Sequence, residues 1–237
     1  MPDMKMRVHA FTDIGRVREN NQDSFFVDQD FGVFAVADGV GGIPGGELAS
    51  QTSMHTLERV VHDTTIARDP ADWVDTMHHE VRQAGRANAY EQAIATTMTM
   101  VEVNPKEATL AHLGDSSVFR IRNGQIEKLS QNHNVETETL AKGLPVDRLG
   151  RYRFAITRYL GMDGPVEPHL KRIDVKTRDR FLLATDGMTD LVDPQGILRV
   201  SQATDEPKIL LEKLRVLCFE KGAHDNITAI SIFIDET

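Results

Sequence analysis

The run Phe31-Gly32-Val33-Phe34-Ala35-Val36-Ala37-Asp38-Gly39-Val40-Gly41-Gly42-Ile43-Pro44-Gly45-Gly46-Glu47 decides how this chain is read. Its first seven residues have no polar face, so they predict a strand over 31–37 that is covered on both sides and whose C-terminal end opens onto a cleft. Asp38 stands at that end. A glycine-rich turn then leads into a helix predicted over 47–61, with Leu48, Met54, Leu57 and Val61 at helical spacing. Strand, glycines and helix together invite a dinucleotide-loop reading, and the spacing rejects it. Counting G-x-G-x-x-G from Gly39 puts Pro44 where the last glycine belongs, and no G-K-[ST] occurs in the chain.

Working outward, a short strand is predicted over 24–28, joined to 31–37 by the turn at Gln29-Asp30. A second helix is predicted over 70–93, with Asp69 as N-cap, Pro70 at the first helical position and Trp73, Met77, Val81 and Ala84 on one face. Strands follow over 98–103, 108–113 and 118–122. Asn123-Gly124 supplies a two-residue hairpin turn to 125–129, because both residues tolerate the positive φ of a type I′ turn. The polar stretch 130–158 is expected to form a short helix and a mobile loop. A strand over 180–185, a helix over 207–219 with Leu210, Leu214 and Leu217 on one face, and a strand over 227–234 complete the chain. This order lacks regular βα alternation and predicts an α+β layered sandwich of antiparallel sheets with helices outside. No repeat or linker interrupts it, so one domain over 1–237 is expected.

The 237 residues are 40% hydrophobic, enough for a substantial core, and the formal net charge of −9 argues against a nucleic-acid or anionic-membrane surface. Cys218 is the only cysteine, so no intrachain disulfide can form. No stretch approaches a membrane span, and Met1-Pro2-Asp3-Met4-Lys5-Met6 has no signal-peptide core; the expected location is the cytoplasm.

Asp38, Asp115, Asp186 and Asp225 each fall at or near the end of a predicted strand, in Ala37-Asp38-Gly39, Gly114-Asp115-Ser116, Thr185-Asp186-Gly187 and His224-Asp225-Asn226. A single aspartate at a turn commonly caps backbone N–H groups. Four placed alike point to a shared cleft, where mutually repelling carboxylates call for hard cations such as Mg2+ or Mn2+. A cysteine-phosphatase loop, C-x5-R, would need Arg where His224 stands. The nine histidines form no H-E-x-x-H, and His55, His62, His78, His79 and His133 are expected at the surface. Arg18, just ahead of the first strand, offers a planar fork suited to two phosphoryl oxygens once a metal cleft is admitted.

The ordered set Thr12-Asp13-Ile14-Gly15, Arg18, Asn21-Gln22-Asp23, Val36-Ala37-Asp38-Gly39-Val40-Gly41-Gly42 with Gly46-Glu47, Thr96-Thr97, Gly114-Asp115-Ser116, Thr157-Arg158-Tyr159-Leu160-Gly161, Thr185-Asp186-Gly187-Met188-Thr189-Asp190 and Asp225-Asn226-Ile227-Thr228 resembles the PP2C (PPM) family of metal-dependent protein phosphatases in its compact bacterial form. The resemblance spans nearly the whole chain. It implies two antiparallel sheets packed face to face with helix pairs outside, an α-β-β-α sandwich. It also implies hydrolysis of phosphoserine and phosphothreonine in proteins by a water bridging two Mn2+ or Mg2+ ions, opposing a bacterial Ser/Thr kinase.

Residue by residue, the same resemblance has Asp38 bridging both metals, the Gly39 carbonyl completing one shell, and Asp186 and Asp225 holding the other ion. Asp23 supports the first metal through water, Arg18 binds phosphate, and Asp115 with Asp186 forms a third, weaker metal site. Phosphorylated proteins are the implied partners of a monomer. Two departures stand out: Val40 replaces the proton-donating His of many eukaryotic relatives, and Asn132-His133-Asn134 replaces Asp-His-Ser. They motivate an alternative, a catalytically weak pseudophosphatase that binds a phosphorylated partner. A metal phosphodiesterase is a third.

Overall fold

The computed structural model describes residues 4–41, 44–65, 68–90 and 93–237; Gly42 and Ile43 of the glycine-rich turn, Glu91 and Gln92 of the predicted second helix, and the first three residues lie outside the described residues. Among the described residues ten strands form two antiparallel sheets of five. One sheet runs β1 (Lys5–Asp13), β10 (Ile227–Glu236), β9 (Arg180–Ala184), β6 (Ser117–Arg122), β7 (Gln125–Lys128). The other runs β2 (Asp23–Asp28), β3 (Val33–Asp38), β4 (Met98–Val103), β5 (Glu107–Leu113), β8 (His169–Asp174).

The layers follow from side-chain alternation along the central strands, since successive residues of a strand face opposite ways. In β3, Phe34 and Val36 enter the core between the sheets, where they join Val101, Leu110, Phe181, Leu183, Ile230 and Ile232. Val33, Ala35 and Ala37 point the other way, onto a second core with α1 (Gly46–His62) and α2 (Pro70–Ala87). In β9, Phe181 and Leu183 share the inter-sheet core, whereas Leu182 and Ala184 pack under the helices that follow them. Those helices are α4 (Asp186–Thr189), α5 (Pro194–Gln202) and α6 (Pro207–Glu220). Helix pairs thus cover both outer faces of the stacked sheets, as an α-β-β-α sandwich requires.

Two strands lie outside the sequence prediction. β1 alternates apolar residues at Met6, Val8 and Ala10 with polar ones, and it closes one sheet by pairing with β10. β8 is an edge strand, His-Leu-Lys-Arg-Ile-Asp, whose exposed positions include the large apolar Leu170, so its pattern carries little burial signal. α5, capped by Asp193 onto the Gly196 N–H, was also not predicted. α2 ends at Ala87 instead of running to 93, because Asn88 caps it and Ala89 takes a φ of 54°. The predicted turn at Asn123-Gly124 has both residues at positive φ, 52° and 75°. Segment 130–158 contains α3 (Val135–Ala141) and a 3-10 turn at Gly150–Phe154.

Histidine burial corrects the surface assignment at two positions. His55, His62 and His79 are exposed, but His78 and His133 are buried. His78 and His79 are neighbours on a helix, so one faces in while the other faces out. The inner ring is neutral and works as a staple: the Gly161 N–H donates to Nδ1 (3.2 Å), and Nε2 donates to the Gly164 carbonyl (2.9 Å). Among the described residues no helix is long and apolar enough to cross a membrane.

Phe34 is fully buried between the sheets. Phe34→Ala is expected to cost about 3–5 kcal/mol in urea unfolding, since the surrounding strands cannot collapse into the space; a cost under about 1 kcal/mol would mean the sheets do not pack there.

Candidate active site

One end of the sandwich carries a cavity of about 310 Å³ where the ends of several strands converge. Asp38 ends β3, Asp115 lies in the turn between β5 and β6, Asp186 opens α4 directly after β9, and Asp225 immediately precedes the Asn226 that leads into β10. All four line this cavity, together with Arg18, Gly39, Val40, Thr97 and, from the 130–158 segment, Phe154 to Ile156. Six of the seven residues singled out from sequence therefore share one space.

Asp23 is the exception. It opens β2 directly across from Asp38 in the strand register, yet it does not line the cavity. Its side chain is buried, with Oδ2 accepting from Thr185 Oγ1 (2.9 Å) and Oδ1 without any partner among the described residues. Burial, followed by the charges of Asp186 and Asp225, pushes its carboxyl up to about 7, against the lowering effect of hydroxyl donors.

The backbone near Asp38 is held from β4's approach. Thr97 N–H donates to the Asp38 carbonyl (2.8 Å), the Asp38 N–H donates to Thr97 Oγ1 (2.9 Å), and Thr96 Oγ1 donates to that same carbonyl (2.8 Å). Gly39 N–H donates to the Gln22 carbonyl (3.1 Å). A Cβ on Gly39 would overlap the Gly46 carbonyl, and one on Gly187 would overlap the Asn226 carbonyl; at both places only glycine lets two backbones meet beside an acid. Asn226 fixes the loop that carries Arg18. Its Oδ1 accepts from the Gln22 N–H (2.8 Å), and its Nδ2 donates to the carbonyls of Ile14 (2.9 Å) and Asn20 (3.0 Å).

Gathering these acids has an electrostatic cost visible in their titration. Burial first, then the charges of Asp23 and Asp186, raises Asp38 well above the usual carboxylate range. Asp186 is raised by burial and by the charges of Asp190 and Asp225, against the lowering influence of the neighbouring Asp38 carboxyl. Asp115 is pushed up to about 7 by burial and then by Asp186. Among the described residues the only cation lining the cavity, Arg18, forks onto Asp225, with Nε to Oδ1 at 2.8 Å and Nη2 to Oδ2 at 2.7 Å. Its Nη1 has no protein acceptor among the described residues and lies on the Gly41 side.

The donor set fits divalent cations in its chemistry: hard carboxylate oxygens, a carbonyl at Gly39, and like charges whose repulsion a cation would relieve. The present rotamers do not close around an ion, since among the described residues no three His, Cys, Asp or Glu side chains form a group able to hold one. A guanidinium engages Asp225, so binding there would redirect a side chain already balanced by other positive charge.

Three participants escaped the sequence reading of the site. Thr97 and Asn226 act through hydrogen bonds to backbone, and only their places in Thr96-Thr97 and Asp225-Asn226 could have marked them. Asp190, one turn beyond Asp186, is raised by desolvation and then by Asp225; its position four residues on from Asp186 was the available signal.

The description Protein phosphatase 2C matches residues 15–211 of the chain. The chain belongs to the protein phosphatase 2C family. Among curated relatives, protein phosphatase PhpP of Streptococcus pneumoniae is 26% identical over 98% of both chains. The serine/threonine protein phosphatase PstP of Mycobacterium tuberculosis is 26% identical over 95% of this chain and 44% of its own length. The crystal structure of the Mycobacterium tuberculosis PstP/Ppp phosphatase superposes with a TM-score of 0.87 at 26% identity, covering 98% of this chain and 99% of that one. The PstP catalytic domain in complex with two manganese ions gives 0.84, also at 26% identity, with 98% and 99% covered. The sandwich described above is the fold of these phosphatases.

Asp115→Asn tests the electrostatic account. The folded carboxyl titrates near 7 and the unfolded one near 3.8, so the native state binds the extra proton between those values and loses stability as pH rises through them. With chelator present, the stability of the variant minus that of the parent is expected to be near zero at pH 4. It should grow to about 2 kcal/mol above pH 7.5, within an upper bound of roughly 4 kcal/mol. Taking the difference cancels the buried histidines, which act oppositely. A flat or falling difference would contradict it.

Proposed function

We propose that this chain, as one catalytic domain over residues 1–237, hydrolyses phosphoserine and phosphothreonine in proteins with two Mn2+ or Mg2+ ions. The observation that carries the proposal is the convergence of Asp38, Asp115, Asp186, Asp225 and Arg18, distant in sequence, on one cavity in a chain of the protein phosphatase 2C family. The names serine/threonine phosphatase and the two manganese ions in the PstP structure support the substrate class and the metal number.

In this reading Asp38 would serve both ions, together with the Gly39 carbonyl at one and with Asp186 and Asp225 at the other. Asp23, buried behind Asp38, supports the first site indirectly, and Asp115 with Asp186 offers a weaker third. When bound, the cations supply Lewis acidity, which offsets charge on the phosphoryl group and makes water a competent nucleophile near neutral pH. The chain's own residues do the rest. Arg18, whose Nε and Nη2 fork onto Asp225 here, would turn that fork to two phosphoryl oxygens once Asp225 engages a cation, fixing the phosphate for in-line attack. Thr96 and Thr97 hold the backbone of Asp38 rigid, so its carboxylate does not need to be ordered during the reaction.

Val40 has no proton to give to the departing alkoxide, so that proton comes from water in the open cavity. The same position favours a second reading, a protein that binds phosphorylated partners with little turnover. The leading proposal extends to a cytoplasmic monomer that opposes a Ser/Thr kinase.

The test is phosphate release from p-nitrophenyl phosphate and a phosphothreonine peptide. Turnover is expected with Mn2+ and not with chelator. Asp38→Ala and Asp186→Ala should each lower kcat at least about a hundredfold, and Arg18→Ala should act mainly on KM, by about tenfold or more. Tight phosphopeptide binding without turnover would favour the second reading, and near-native activity of Asp186→Ala would refute the metal assignment.

A further inference from the structure

The segment 130–158 is tied down at its base and open at its tip. The Val135 N–H donates to the Ala155 carbonyl (3.0 Å) and the Thr157 N–H to the His133 carbonyl (2.8 Å), while Thr157 Oγ1 donates to Glu138 (2.7 Å). α3 stops in a Schellman turn, with the Gly143 N–H to the Leu140 carbonyl (2.9 Å), the Leu144 N–H to the Thr139 carbonyl (3.1 Å), and Gly143 at a φ of 69°. Beyond that turn the chain exposes what proteins usually cover: Tyr152 is 66% exposed, Phe154 65% and Leu144 54%. Phe154 also lines the phosphatase cavity, so this apolar rim is continuous with the reacting centre.

Charge on the same rim runs against the rest of the molecule. Between 130 and 158 there are five basic and three acidic residues, in a chain whose net charge is −9. Glu136 pairs with Arg153, and Glu138 lies 3.8 Å from Arg158, which accounts for the two acids of α3. Arg148 and Arg151 are exposed and make no salt bridge among the described residues, and the Arg151 guanidinium lies over the Tyr152 ring at 5.7 Å. Two exposed cations without an ion partner, one of them over the Tyr152 ring, therefore lie within six residues of Phe154, which lines a cavity whose own walls are acidic.

We infer that this rim reads the sequence around the phosphorylated side chain, and that the chain prefers phosphosites flanked by carboxylates together with an aliphatic or aromatic residue. The inference rests on the proposed phosphatase activity and deepens it by naming the substrate class. An acidic flank would be repelled by the cavity walls and gains only if it lies along Arg148 and Arg151. The apolar residue would cover Tyr152 or Phe154. Free phosphate esters, which lack flanks, would not engage the rim.

The test compares three phosphothreonine peptides of equal length under Mn2+: Glu-rich flanks with one Leu, the same flanks with Ala for Leu, and Lys-rich flanks with Leu. p-Nitrophenyl phosphate reports the amount of active enzyme. The expected kcat/KM of the Glu/Leu peptide exceeds that of the Lys/Leu peptide by about five- to tenfold, and the preference shrinks in 0.5 M salt. In Arg148→Glu/Arg151→Glu the ratio should fall to one or invert, whereas Tyr152→Ser should erase the advantage of Leu over Ala. Equal rates on all three peptides, or an unchanged ratio in the double variant, would overturn the inference while leaving the phosphatase reading intact. Hydrolysis of the small ester with no peptide turned over would likewise overturn it. Failure to hydrolyse any of the four would instead remove the activity on which it rests.

Discussion

The structure depends on holding several carboxylates of like charge in one partly buried place. Left to themselves, Asp38, Asp115, Asp186 and Asp225 would move apart or stay protonated, because burial and mutual repulsion both penalise the ionised forms. One device that holds them together here is the bidentate contact between Arg18 and Asp225. That guanidinium is a positive-charge substitute that a divalent cation can replace, which links the electrostatic strain of the site directly to its use.

Rigidity elsewhere supports this. Each acid follows or flanks a strand whose alternate side chains are locked into two different cores, so the strand ends cannot drift without disrupting both. Backbones approach at Gly39 and Gly187 more closely than any other residue permits, and Asn226 ties the Arg18 loop to the start of β10. The site is thus a property of strand-end geometry, with loops contributing Arg18 and the outer rim.

Much of this was legible in the sequence for physical reasons that can be named. A strand apolar on both faces, ending in Asp38-Gly39, announces a buried strand opening onto a cleft, and the repeated placement of acids at strand ends announces a common site. Legibility failed where a pattern carries no burial signal or where contact partners are remote. The edge strand β8 has exposed apolar and half-buried polar positions intermixed, and β1 is recognisable only once β10 is known to need a partner. His78 and His133 looked like surface residues because hydrogen-bond partners such as Gly164 and Gly114 lie far along the chain. Asp23 lies across from Asp38 in the strand register, but the sequence does not show that its carboxylate turns inward to Thr185, away from the cavity.

The claim at the centre is that these carboxylates form a site for paired cations. Crystals soaked in Mn2+ and measured at the manganese absorption edge test it without reference to activity. Two anomalous peaks should lie in the cavity, one touching both Asp38 and the Gly39 carbonyl and the other contacting Asp186 and Asp225, with Asp225 released from Arg18. A map with no peak beside Asp38, or with manganese bound only at the outer surface, would contradict the account.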